Sequence, residues 1–251
     1  MSATTPVLEL RGVSKHFGAV VALDQVDFRV SAGEVMALVG DNGAGKSTLI
    51  KGIAGSHSFD SGDVLFDGEQ VSIHGPKDSA RLGIEVVYQD LALCDNLDIV
   101  QNMFLGREEL DGVRRLDEMT MERRARETLR SLSVTTVRSV RQAVASLSGG
   151  QRQSVAVAKA VMWNSRVVIL DEPTAALGVA QTHQVLELVK RLGEQGLGVI
   201  LISHNLTDVF EVADRITVLR LGRNVAEFAK AETSQQEVVE AITAGRAQEA
   251  A

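Results

Sequence analysis

The sequence predicts an α/β fold in which a parallel sheet is interrupted by a helical insert, and three observations carry that prediction. Val35-Met36-Ala37-Leu38-Val39 is apolar at every position, the pattern of a strand covered on both faces, as in a parallel sheet. A glycine-rich loop and a helical stretch over about Lys46–Ala54 follow it directly. From Val167 onward strands and helices alternate again, and strand–helix–strand alternation belongs to parallel α/β sheets.

In chain order, Val26, Phe28 and Val30 alternate with Asp27 and Arg29, the period of two of a half-buried strand. Ser31-Ala32-Gly33-Glu34 turns the chain into the strand 35–39. Extended segments return at Asp63–Phe66 and Ile84–Tyr88. Over about Asn96 to Asn164 the pattern is helical, which marks an inserted subdomain. Within it Glu122–Leu132 carries Arg123, Arg124, Arg126 and Arg130. A solvated helix face is the favoured account of that segment, with a phosphate-binding patch as the alternative. The alternation then resumes with Val167–Leu170, a helix over about Ala180–Gln195, the strand Val199–Ser203, a short helix and a strand near Arg215–Leu219. No repeat or low-complexity tract stands out, and Gln248–Ala251 is expected to be a frayed end.

Composition narrows the function classes. With 251 residues, 45% of them hydrophobic, the chain can build one large domain or two closely packed ones. Its 33 acidic against 26 basic side chains, net −7, lack the basic footprint of a nucleic-acid binder. Nine aromatic residues in all offer few base-stacking platforms. Apolar runs such as Val35–Val39 fall far short of the roughly 18–20 residues of a membrane span, and Met1–Pro6 has neither the basic nor the apolar region of a signal peptide. Cys94 is the single cysteine; it cannot close an intrachain disulfide, fits a reducing cytoplasm, and is expected to be structural.

Two motifs carry chemistry. Gly40-Asp41-Asn42-Gly43-Ala44-Gly45-Lys46-Ser47 fits G-x-x-x-x-G-K-[ST] and lies between an apolar strand and a helix, where the mechanism needs it. Glycines let the backbone wrap closely around phosphates, and the helix N-terminus that begins here, continuing through Thr48, adds positive potential. Lys46 is expected to reach the β- and γ-phosphates and Ser47 to bind Mg²⁺. Val167-Val168-Ile169-Leu170-Asp171-Glu172 supplies the acidic partner: Asp171 for Mg²⁺ and Glu172 to polarise an attacking water.

Leu147-Ser148-Gly149-Gly150-Gln151-Arg152-Gln153 ahead of an apolar helix, Gln89 after the strand Ile84–Tyr88, and His204 at the end of Val199–Ser203 complete a pattern. In this order and spacing the chain resembles the ATP-binding-cassette family of transporter ATPases over nearly its whole length. The seven-residue signature is the most specific part. The resemblance implies a RecA-like phosphate-loop NTPase core over 1–90 and 165–230 with an N-terminal antiparallel β subdomain. It further implies a helical subdomain over 91–164 and a C-terminal helix and tail over 231–251. It implies ATP and Mg²⁺ as ligands, held by Gly40 to Thr48. Ser148, Gly149, Gly150 and Gln151 would contact the γ-phosphate bound by a second subunit. Gln89 would sense Mg²⁺ and the attacking water, His204 would hold the γ-phosphate and the water, and Phe17 would lie against adenine.

One position departs from the family. After Glu172-Pro173-Thr174-Ala175-Ala176-Leu177 the family usually places an aspartate that reports across the dimer interface; here Gly178 stands, so coupling between sites or the rate is in question. Tyr88-Gln89-Asp90-Leu91-Ala92-Leu93, Asn96-Leu97 and Asn102 to Glu108 look like the monosaccharide-importer branch of ribose, xylose and fructose type. Ala175 to Gly178 is similar to the fructose-type ATPases. One set of motifs on this chain implies pairing with a second cassette, a copy or a relative. The expected partners are transmembrane permease subunits on the cytoplasmic face of the membrane and, through them, a periplasmic or extracellular sugar-binding protein. The alternatives are a soluble cassette ATPase outside transport, or a regulatory cassette that binds ATP without efficient hydrolysis.

Overall fold

The computed structural model describes residues 5–244. The elements, in order, are β1 (Leu8–Phe17), β2 (Val20–Val30), β3 (Val35–Val39), α1 (Lys46–Ile53), β4 (Ser61–Phe66), β5 (Glu69–Val71), α2 (Pro76–Arg81) and β6 (Ile84–Val87). Then come α3 (Ile99–Phe104), α4 (Glu118–Ser131), α5 (Gly149–Val161), β7 (Val167–Asp171), α6 (Val179–Glu194) and β8 (Gly198–Ile202). The chain closes with α7 (Leu206–Val212), β9 (Arg215–Arg220), β10 (Arg223–Ala229) and α8 (Gln235–Ala244). The expected frayed end at Gln248–Ala251 lies outside the described residues.

Two sheets form. A four-stranded antiparallel sheet has the order β2-β1-β4-β5, and a six-stranded sheet has the order β10-β9-β3-β8-β7-β6. In the larger sheet β9, β3, β8, β7 and β6 run parallel and only β10 is antiparallel. β3 and β8 are buried at every position, as their unbroken apolar runs require. In β2, Val26, Phe28 and Val30 are buried while Asp27 and Arg29 are exposed, the alternation that their sequence shows.

The helical region is looser than its sequence pattern suggests, because irregular chain separates α3 from α4 and α4 from α5. α4 begins a turn earlier than Glu122, where the Asp117 carboxylate accepts the Thr120 N–H at 3.0 Å, a side-chain cap. Met121, Ala125 and Leu129 form its buried stripe. Its arginines lie outside that stripe, and Arg124 stacks near Trp163 and Phe104 at 5.1 and 5.6 Å from the ring centroids.

The first turn of this region rests on Asn102, which is fully buried. Its Oδ1 accepts the Cys94 N–H at 2.7 Å and its Nδ2 donates to the carbonyls of Cys94, Leu97 and Asp98 at 3.0 to 3.3 Å. Cys94 is thus held through its backbone, and its thiol takes no part. Asn102→Ala leaves those buried groups without partners, so urea unfolding should show a loss of about 1–3 kcal/mol. An unchanged midpoint would remove Asn102 from this role.

Candidate functional site

Parallel register decides where the site lies. Leu38 and Asp171 both pair with Ile202, and Val87 pairs with Leu170. The chain therefore leaves β3, β8, β7 and β6 at one edge of the sheet. Gly40, His204, Glu172 and Gln89 all follow within two residues of those strand ends. Ligands of open α/β sheets bind outside the carboxyl ends of the strands.

The loop after β3 is pressed against its surroundings. A Cβ at Gly40 would stand 2.1 Å from the Leu219 carbonyl oxygen. Gly45 has φ +103, and a Cβ there would meet Ala22 O and Leu23 Cδ2 at 2.9 Å. Gly45 is the N-cap residue of α1, whose start has no side-chain cap and no acidic residue in its first turn. Its first N–H groups are therefore unclaimed by side chains, which suits an anion.

Lys46 Nζ donates to the carbonyls of Gly40 at 2.6 Å and Asp41 at 3.1 Å. Burial pushes its pKa down, against the upward pull of Glu172, Asp41 and Asp171. Burial likewise pushes Asp171 up, helped by the neighbouring Glu172 and opposed by Lys46 and Lys51. Charges of both signs thus meet in a half-desolvated place, as at sites where charge is used.

Glu172 sits at φ +51 and its N–H donates to Ile202 O at 3.0 Å, so its side chain turns out of the sheet line. Its Oε2 lies 2.7 Å from His204 Nδ1, which sets the imidazole beside the carboxylate. Behind them Asp208, 5% exposed, accepts from Thr174 Oγ1 at 2.7 Å and from Asn205 Nδ2 at 2.9 Å. The turn after Glu172 and the turn after His204 are tied through this one carboxylate.

The Lys46 loop and the two carboxylates border a cleft of about 390 Å³, lined by Asp41 through Thr48, Gln89, Asp171 and Glu172, and His204 is not among its lining residues. Ser47, Gln89 and Asp171 bring a hydroxyl, an amide oxygen and a carboxylate to the same cleft. That all-oxygen donor set fits Mg²⁺, and the uncapped loop fits a polyphosphate. Val20, Val21 and Ala22 also line it; no motif announces them, and they arrive because the β1–β2 hairpin folds over the loop. Phe17 pairs with Val20 in that hairpin and is half exposed beside the cleft, its ring 5.5 Å from that of His57 and 5.5 Å from Lys15 Nζ.

Ser148, Gly149, Gly150 and Gln151 are not among the residues lining the cleft. Ser148 caps α5 in a reciprocal pair with Gln151, at 2.9 and 3.4 Å. A Cβ at Gly149 would press on Leu177, and one at Gly150 on Gln181. Gly178 caps α6 with extended backbone, φ −76, and a Cβ there would meet nothing within 4 Å.

Fold and cleft together define a phosphate-loop nucleotide-binding protein. Residues 23–175 match the ABC transporter family model, and the chain belongs to that family. It is 46% identical over 250 residues to the fructose import ATP-binding protein FrcA of Rhizobium meliloti, covering 97% of this chain and 96% of that one. It is 47% identical to the xylose/arabinose import ATP-binding protein XylG of Sulfolobus acidocaldarius, covering 94% of each. Among solved structures, the ADP conformation of an ATP-binding cassette of an ABC transporter superposes with a TM-score of 0.80 at 26% identity, covering 96% of each chain.

Two glycines of this site should respond oppositely to substitution. Gly45→Ala forces a side chain into a left-handed, occupied position and should cost about 1–3 kcal/mol in thermal unfolding. Gly178→Asp meets open space at a helix start and should leave stability unchanged or raise it by about a few tenths of a kcal/mol. Equal effects would contradict this account of the two backbones.

Proposed function

We propose that this chain is the ATP-hydrolysing subunit of an importer that takes up a monosaccharide. The observation that carries the catalytic part is the meeting of the Lys46 loop, Asp171 and the His204-held Glu172 in one cleft. The family and the import ATP-binding relatives support the transport part, and the sugars in the names of those relatives are monosaccharides. Among the described residues no helix is long and apolar enough to cross a membrane. A peripheral place on the cytoplasmic face, against transmembrane permease subunits, fits that. A periplasmic or extracellular sugar-binding protein would deliver the sugar to the permease, and this chain would not touch it.

The chain's own residues divide the work. The N–H groups of Gly43 to Thr48 and the Lys46 ammonium bind the β- and γ-phosphates. Mg²⁺, held by Ser47, Asp171 and Gln89, would neutralise phosphate charge when bound. Glu172 accepts the proton of the attacking water at its carboxylate, and His204, whose Nδ1 lies 2.7 Å from that carboxylate, would hold the γ-phosphate and the water. Phe17 offers its exposed ring to adenine at the rim of the cleft. Gln89 lies where the core passes into the helical region, so its position is sensitive to how that region sits.

Ser148, Gly149, Gly150 and Gln151 are assigned to the γ-phosphate of a second cassette, because they stand outside the cleft of their own chain and at a helix start. A homodimer with two composite sites is the simplest assembly. We read 1–90 with 165–230 as the nucleotide-binding core, 91–164 as the helical subdomain and 231–251 as a C-terminal helix and tail.

Glu172→Gln should lower ATP turnover about 10²–10⁴-fold, the scale of a general base, with nucleotide binding retained. Lys46→Ala should weaken binding itself in a titration with labelled nucleotide. Near-normal turnover in Glu172→Gln would remove that residue from the base role.

A further inference from the structure

The arginines of α4 are a second feature that the ATPase site does not use. The segment 91–164 carries eleven basic against nine acidic side chains, while the rest of the chain carries 15 against 24. The acids of α4 are already engaged: Glu118 and Glu122 by Arg141, Glu122 also by Arg126, and Glu127 by Arg123. Arg130 and Arg138 have no carboxylate partner among the described residues. Both line a cleft of about 490 Å³ between the end of α4 and the loop 133–140, together with Arg126. Leu129 and Val140 give it a buried apolar floor, and Ser133, Thr135 and Ser139 bring hydroxyl groups to it.

We propose that this cleft binds a phosphorylated small molecule of the size of a monosaccharide phosphate, and that the ligand acts on the signature segment. Guanidinium groups match phosphate oxygens in pairs, the hydroxyl groups match a polyol, and the volume lies in the range of small-molecule pockets. The link to catalysis is short. Thr136, between the lining residues Thr135 and Val137, accepts at its carbonyl from Gln151 Nε2 at 2.6 Å, and Gln151 closes the cap of Ser148. Arg191 of α6 and Gln195 just beyond its end donate to the carbonyls of Leu132 and Ser131 at 3.1 and 2.9 Å. A ligand that draws the loop toward α4 therefore pulls on the segment assigned to the partner's nucleotide. The choice of a sugar phosphate rests on the importer reading. A free monosaccharide that enters is retained by phosphoryl transfer onto one of its hydroxyls, and the product of that class of reaction is the signal that import has met demand.

Calorimetry on the full chain, with the nucleotide cleft saturated by a non-hydrolysable ATP analogue, tests the site. A hexose 6-phosphate or a pentose 5-phosphate should bind saturably at one site per chain, and the free sugars should not. Arg130→Gln with Arg138→Gln should weaken that binding about 100-fold, the loss expected for two charge-assisted contacts, and leave binding of the analogue unchanged. In the assembled complex the sugar phosphate should change ATP turnover of the wild type and not of the double variant. Absence of binding, equal binding by the double variant, or equal affinity for inorganic phosphate would overturn the proposal. Sedimentation with anionic lipid vesicles without binding of soluble sugar phosphates would overturn it in favour of a lipid headgroup. A chain that binds sugar phosphate but hydrolyses no ATP would refute the functional reading and leave the site standing.

Discussion

Everything this chain can do to a nucleotide depends on the parallel register of four strands. β6, β7, β8 and β3 end level with one another, so residues far apart in sequence leave the sheet at one edge. A slip of one residue in β7 would reverse the faces of Asp171 and its neighbours and separate them from the Lys46 loop. The fully buried apolar runs of β3 and β8 hold that register, since neither face tolerates a polar residue. The core therefore does more than stabilise the chain; it fixes distances at the cleft.

Within that frame the cleft balances opposed charges in a place partly shielded from water. Burial acts against the charged form of both Lys46 and Asp171, and each is partly offset by the other. Glu172 adds a second carboxylate beside Asp171 and is steadied by His204. Such an arrangement is poorly suited to maximal stability and well suited to a ligand that brings both phosphate and a divalent cation, a usual tension at functional sites. Gly178 stands apart from the cleft, at the start of α6, where a side chain would meet open space, so glycine is not there to satisfy the shape of the fold.

Much of this was legible in the sequence because the signals were local. The Lys46 loop, the Asp171-Glu172 pair after an apolar strand, and Gln89 after another all reach the same cleft. The contact between Glu172 and His204 was not legible, because it depends on β8 lying next to β7, which is a fact of sheet order. Asp208 and the Val20–Ala22 wall carry no local signal for the same reason: their roles come from tertiary neighbours. The shortest elements carry no period in the sequence. β5 has three residues and α2 has six, too few for a period to show, although Pro76 at the first turn of α2 is a start signal. β10 mixes charged and apolar residues at the edge of the sheet and gives only a weak alternation. The charges of Glu122–Leu132 mark α4 in the sequence, whereas its start is set by the Asp117 cap and the buried Met121.

The central claim is that two cassettes share each catalytic site, the Lys46 loop and Glu172 from one chain and Ser148 to Gln151 from another. Light scattering of the Glu172→Gln chain with Mg²⁺ and saturating ATP tests it most directly. The account predicts a doubling of mass with ATP that is absent without nucleotide and abolished by adding Ser148→Arg. A chain that binds ATP fully and stays monomeric, or a dimer indifferent to both nucleotide and Ser148, would contradict it.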